Sequence, residues 1–201
     1  MKVGYAVLYS NGILVISANS IKQFKKFSIF SLRKNIYKDY GEFEDTKVPW
    51  YYDKKKIETV RILNQVKVSC MNSWFIRCKN LTTLTTFKNL NVSDCKDFSY
   101  LFHSCQSLRN ISSLKHLDVS NGKDFSDMFS ECNSLKDISA LINWNVSNGE
   151  DFSFMFDSCK TLMDISTFYN WNVFNGKNFF MDVFFLFIIK RYFIIIKFEC
   201  V

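Results

Sequence analysis

Four cysteines, Cys78, Cys105, Cys132 and Cys159, recur every 27 residues, and thiols repeated at one spacing could ligate a metal, join in disulfides or pack as small hydrophobes. No C-x-x-C pair occurs, and each of the four sits on the apolar side of its repeat, so packing is the reading that fits. Disulfides need Cα atoms within about 4.4 to 6.8 Å and an oxidising compartment, which nothing in the sequence indicates. Seven Cys in all is an odd number, which excludes a fully paired set. The two histidines align with dissimilar residues in other units: His103 with Ile76, Ser130 and Asp157, and His116 with Asn89, Asn143 and Asn170. Both read as surface residues. Asp97, Asp124 and Asp151 could offer acid or base chemistry, but an enzyme needs one asymmetric constellation, whereas a ladder of equivalent acids suits capping. Phosphate-binding Gly-rich loops, a G-x-S-x-G elbow and an H-E-x-x-H pair are absent from the sequence. The residues therefore predict no catalytic, cofactor-binding or metal-ligating set, no cofactor and no small-molecule substrate.

The elements that position these residues follow the same period. Gly122, Gly149 and Gly176 are also 27 apart, and a spacing shared by unrelated residue types signals a repeat. Units begin at Cys78, Cys105 and Cys132, and a fourth from Cys159 loses the pattern after Phe179. Upstream, Met71, Trp74 and Phe75 occupy the places of Phe98, Leu101 and Phe102, and Ile57 and Val60 those of Leu84 and Phe87. After each Asp, apolar residues at i, i+3, i+4 and i+7, such as Phe98, Leu101, Phe102 and Cys105, predict a short helix with the Asp as N-cap. Phe125 and Phe152 open the next two. The Asn-Gly pair before it predicts a positive-φ turn. The ladder Leu108, Ile111, Leu114, Leu117 and Val119 has neither strand nor helix period and predicts a tight coil with a short strand or bridge. One such coil cannot bury its apolar side, but a stack can. The expected fold class is α+β: a small β-rich N-terminal domain, then a short leucine-rich-repeat-like solenoid of 27-residue units, each with a short helix and a short strand.

The pattern carried by Cys132, Leu135, Ile138, Leu141, Trp144, Val146, Ser147, Asn148, Gly149, Phe152, Ser153, Met155 and Phe156 resembles the BspA-like leucine-rich-repeat surface proteins. The same repeat type is found in mycoplasma lipoprotein-like sequences. The resemblance covers roughly residues 57 to 179. It implies a repeat scaffold that binds other proteins or host surfaces, without chemistry of its own, at the cell surface. Leu90 and Leu117 depart from it by replacing Trp in the first two units.

Three segments are expected: 1–56, a basic β-rich leader with a hairpin across Asn11-Gly12; 57–179, the repeats; and 180–201, an apolar tail. With 48% hydrophobic residues and 22% charged, the chain has the apolar material for a core and is not a disordered one. The net charge of +7 is local, since residues 1–69 hold 13 Lys and Arg against 6 Asp and Glu while residues 70–178 hold 10 against 11. In the leader, Lys25-Lys26, Arg33-Lys34 and Lys54-Lys55-Lys56 alternate with aromatics, a mixture that could grip nucleic acid, though as a capping domain its lysines are a solvated face. The leader lacks a signal-peptide pattern. Residues 180–198 are apolar enough for a membrane span, but Lys190 and Arg191 near the centre cost about 2.5 to 3.5 kcal/mol each. The alternatives for this tail are a cover for the end of the repeats or a truncated or frameshifted unit. The leading expectation is a non-enzymatic module for protein–protein interaction. Its contacts should come from positions that vary between units: Lys88, Lys115, Ile142 and Tyr169 in one row, and Thr82, Arg109, Lys136 and Met163 in another.

Overall fold

The computed structural model describes residues 4–17, 33–40, 48 and 50–178. Strands β1 (Gly4–Tyr9) and β2 (Ile13–Ser17) form a hairpin with Ala6 opposite Ile16 and Leu8 opposite Leu14. Gly12 closes its turn at φ 78°, donating to the Tyr9 carbonyl, a conformation that favours glycine. β3 (Arg33–Tyr40) lies antiparallel on the other side of β1. β4 (Thr59–Ile62) and β6 (Thr83–Thr85) extend the sheet in parallel beyond β2, giving the order β3-β1-β2-β4-β6. β5 (Val66–Lys67) and β7 (Leu90–Asn91) form a separate parallel pair. Alternation along the hairpin sends Ala6, Leu8, Leu14 and Ile16 into the main core and Val7, Tyr9 and Val15 into a small cluster on the opposite face. The main core runs without a break from Ala6 to Trp171, so β2 and β4 pair across the 56/57 position into one body of packing.

The fold class expected from the sequence is corrected. The structure has mixed small sheets, and among the described residues no α-helix forms; a solenoid of helix-bearing units is not what the chain builds. The reason lies in where the backbone N–H groups bond. Between Phe98 and Cys105 they alternate: Leu101, His103 and Cys105 donate to the carbonyl three residues back, while Phe98, Tyr100, Phe102 and Ser104 donate to Asp124, Ser126, Met128 and Ser130 of the following unit at 2.7 to 2.9 Å. A helix would return every N–H to its own chain four residues back. The alternation needs left-handed residues, and Tyr100 and Ser104, then Asp127 and Glu131, then Phe154 and Ser158 all have φ between 54° and 59°. The segment is thus a pair of tight turns whose alternate donors stitch it to its neighbour.

The apolar spacing survives because these turns also bring Phe98, Leu101, Phe102 and Cys105 inward, and all four are fully buried. Phe98, Phe125 and Phe152 form one column of rings with centroids 5.4 Å apart, and Phe75, Phe102, Phe129 and Phe156 a second at 5.3 to 5.5 Å. Parallel bridges join Asp97 to Asp124, Asp124 to Asp151 and Asp151 to Asn178. After Cys78 the ladder does form short strands, β6 and β7, on either side of the 3-10 turn Phe87–Asn89, whereas after Cys105, Cys132 and Cys159 it forms 3-10 turns at 112–116, 139–141 and 166–170, which direct every third side chain inward. At the N-terminal end the spacing shortens: Val60 pairs with Leu84 and Val66 with Leu90, a step of 24 residues where the sequence alignment placed Val60 beside Phe87.

The Asn-Gly turns also differ from expectation. Of the described glycines only Gly12 has a positive φ. A Cβ on Gly122 would lie 2.4 Å from the Phe125 ring, and one on Gly149 2.2 Å from the Phe152 ring, so glycine is required there by the ring that folds over it.

Candidate interaction surface

Each unit commits its chemically capable side chains to holding the stack. Asp124 Oδ1 accepts from the Ser126 backbone N–H at 2.9 Å and from the Ser126 hydroxyl at 2.6 Å. Asp97 and Asp151 do the same for Ser99 and Ser153, so the acids cap turns, where the sequence predicted helices. The side-chain amides of Asn121, Asn148 and Asn175 each donate to a serine carbonyl 28 residues back, clamping successive units. Trp144 and Trp171 donate their indole N–H to the carbonyls of Leu114 and Leu141.

The repeated cysteines behave alike. The thiols of Cys105, Cys132 and Cys159 donate to the carbonyls of Phe75, Phe102 and Phe129 at 3.1 to 3.3 Å. Burial pushes Cys78, Cys105 and Cys132 above the usual thiol range and Cys159 up to about 12, so all four stay protonated.

His103 is corrected from a surface residue to a half-buried one. Its Nδ1 lies 3.6 Å from Asp127 Oδ1 and its ring meets Tyr100 edge-on at 5.5 Å. Desolvation raises the Asp127 carboxyl, against the lowering effects of Tyr100, His103 and Ser130. His116 is exposed.

The two rows chosen as contact positions emerge on adjacent turns. Lys88 lies in the 3-10 turn Phe87–Asn89, Lys115 in Ser112–His116, and Ile142 directly after Ser139–Leu141; all three are exposed. Tyr169 lies in the turn Ser166–Asn170. In the second row Arg109, Lys136 and Met163 are exposed, Met163 at 91%. Thr82 differs: it is half-buried, its Oγ1 donating to the Glu58 carbonyl, while its own carbonyl accepts from Arg109 N–H at 3.2 Å. It positions the row more than it offers a contact. The first row turns from basic Lys88 and Lys115 to apolar Ile142, and the second passes from Thr82 through basic Arg109 and Lys136 to apolar Met163.

Sequence reasoning missed a third feature. The 3-10 turn Tyr51–Lys56 packs against the start of the stack and brings Lys54 and Lys55 to a cleft with Arg77 and Lys79. Only the run of three lysines signalled it, because the anchor is tertiary. Trp50 is fully buried, stacks 5.9 Å from Phe75 and donates its indole N–H to the Trp74 carbonyl at 2.7 Å.

No helix among the described residues is long and apolar enough to cross a membrane, and the readings made for 180–201 and for Lys25-Lys26 fall outside those residues. Residues 69–185 match the family described as "Mycoplasma protein of unknown function, DUF285". Neither the curated proteins nor the solved structures give a match.

Proposed function

The chain belongs to the DUF285 family, and on that premise we propose that it is a non-enzymatic scaffold for protein–protein interaction, its units being of the BspA-like leucine-rich-repeat sequence type. The observation that supports this is the contrast between inside and outside. Buried positions repeat the same residue types because each must stack on its equivalent, whereas the exposed rows change from unit to unit. The change from Lys88 and Lys115 to Ile142 in one row, and from Arg109 and Lys136 to Met163 in the other, fits a partner segment with an acidic part followed by an apolar one. A cell-surface, adhesin-like role is part of the same reading and rests on the sequence resemblance.

The test is selection of peptides from a displayed library on the immobilised chain. Acidic-then-apolar peptides should be enriched, and the combined changes Lys115→Ala, Ile142→Ala and Arg109→Ala, Lys136→Ala, Met163→Ala should abolish their retention. Retention unchanged by both sets would remove the assignment.

A further inference from the structure

We propose that the cleft beside the Tyr51–Lys56 turn binds a small dianion of the phosphate-monoester class. It encloses about 420 Å³, within the range of roughly 300 to 1,000 Å³ typical of small-molecule sites. Lys54 and Lys55 line it from the turn, Arg77 and Lys79 from the start of the stack, and His103, Ser104 and Glu131 from the segments stacked upon it.

Charge gives the first argument. Four cations face one carboxylate, and none of the four makes an ion pair among the described residues. Elsewhere Lys56 pairs with Asp53, Lys67 with Asp94, and both Lys123 and Lys177 with Glu150, while cations outside ion pairs, such as Lys88, Lys115 and Lys136, are spread along the surface and do not converge on one cleft. The one acid of the cleft, Glu131, accepts from the Ser104 hydroxyl at 2.6 Å. Gathering unpaired like charges is unfavourable until an anion enters.

Rigidity gives the second. Arg77, Ser104 and Glu131 all have φ of 58° or 59°, and their backbone N–H groups donate to His103, Ser130 and Asp157 at 2.7 to 2.8 Å, so they project side by side from a stitched edge. On the opposite wall the Asn80 amide holds the Lys55 carbonyl at 2.7 Å, and the Lys54 ammonium rests 3.7 Å from the centre of the Tyr51 ring. The Lys54 head group and the backbone that carries Lys55 and Arg77 are therefore set before any ligand arrives.

The chemistry of the occupant follows. One carboxylate would leave two of the three surplus charges unanswered, whereas a phosphate monoester carries close to two negative charges and three strong acceptor oxygens, suited to a guanidinium fork flanked by ammoniums. The one ring in the lining, His103, is already engaged by Tyr100 and Asp127, and no Phe, Tyr or Trp joins it, so the anionic head is the group recognised. The phosphate could be free or carried on a phosphorylated side chain.

Isothermal titration of the full chain at low salt with glycerol phosphate, inorganic phosphate and a phosphoserine peptide tests this, with succinate as the dicarboxylate comparison. Saturable 1:1 binding of a phosphate probe is expected. Arg77→Gln or Lys79→Gln should weaken it by at least roughly tenfold, the scale of a charge-assisted hydrogen bond, and Lys160→Gln should not. Both cleft substitutions are at exposed residues, so unchanged urea midpoints should accompany the loss. Binding of glycerol phosphate without the peptide marks a free ligand as the source, and the reverse marks a phosphorylated chain; either supports the site. Absence of saturable binding by all three phosphate probes, equal weakening by Lys160→Gln, or succinate binding as tightly as phosphate overturns it.

Discussion

Replacing Gly149 with Ala tests why glycine sits before Phe125 and Phe152 in their column. The new Cβ would lie 2.2 Å from Phe152 Cζ, 2.7 Å from its Cε2 and 3.0 Å from the Val146 carbonyl oxygen. Carbon atoms rest at about 3.5 to 4.0 Å, so the ring must retreat by more than about 1 Å. That movement disturbs its stacking on Phe125, 5.4 Å away. Overpacking costs about 1 to 3 kcal/mol and a stacked pair contributes about 0.5 to 1.5, so a loss of about 2 to 3 kcal/mol is expected. For a chain of this length that lowers the melting midpoint by roughly 4 to 12 °C. Backbone conformation adds nothing, since Gly149 is outside the left-handed region and Cys95 carries a Cβ at the same place in the first unit. Urea denaturation followed by tryptophan fluorescence, at constant m, measures the loss. In a Phe152→Leu background the same Ala should cost little, a coupling of about 1 to 3 kcal/mol. If Gly149→Ala is neutral, or its cost persists without the ring, the steric argument is refuted.

Two further outcomes follow from burial. The thiols of Cys105 and Cys132, buried and held above the ordinary range, should react with a disulfide reagent at pH 8 only as fast as the chain unfolds, with urea releasing them; mass spectrometry of the labelled sites checks this, and prompt labelling of native Cys132 contradicts it. Desolvation raises the Asp127 carboxyl in the folded chain, so the contribution of this group to stability is fully present below the unfolded carboxylate pKa and is lost as pH rises through the folded value. Asp127→Asn should therefore stabilise the chain at pH 7, with the gain fading as pH falls into the carboxylate range; a midpoint difference independent of pH goes against it.

Part of the fold is legible in the sequence. Asn11-Gly12 between two apolar runs marks the hairpin, and the three-residue connection 10–12 closes with the φ of 78° that glycine supplies at its last position. The outward rows are legible too, since a side chain that stacks on its equivalent is held to one type, while one that faces solvent is free to vary; Lys115, Arg109 and Met163 are exposed for that reason. Thr82 is the exception, drawn inward by its bond to Glu58. The basic cleft is not legible: Lys54 and Arg77 meet only because Trp50 anchors the intervening turn under Trp74 and Phe75.

From Phe75 onward the sequence by itself determined which residues lie above one another, because Phe, Cys, Asp and Asn recur at 27 and each meets the same partners in the next unit. Only the tertiary structure decided what conformation joins them. The spacing of Phe98, Leu101, Phe102 and Cys105 buries the same side chains in a helix or in two tight turns, so side-chain pattern cannot choose between them. The choice is made by the backbone: with a neighbouring unit in register, alternate N–H groups find carbonyls 26 residues on, and the turns gain bonds between units that a helix would keep within itself.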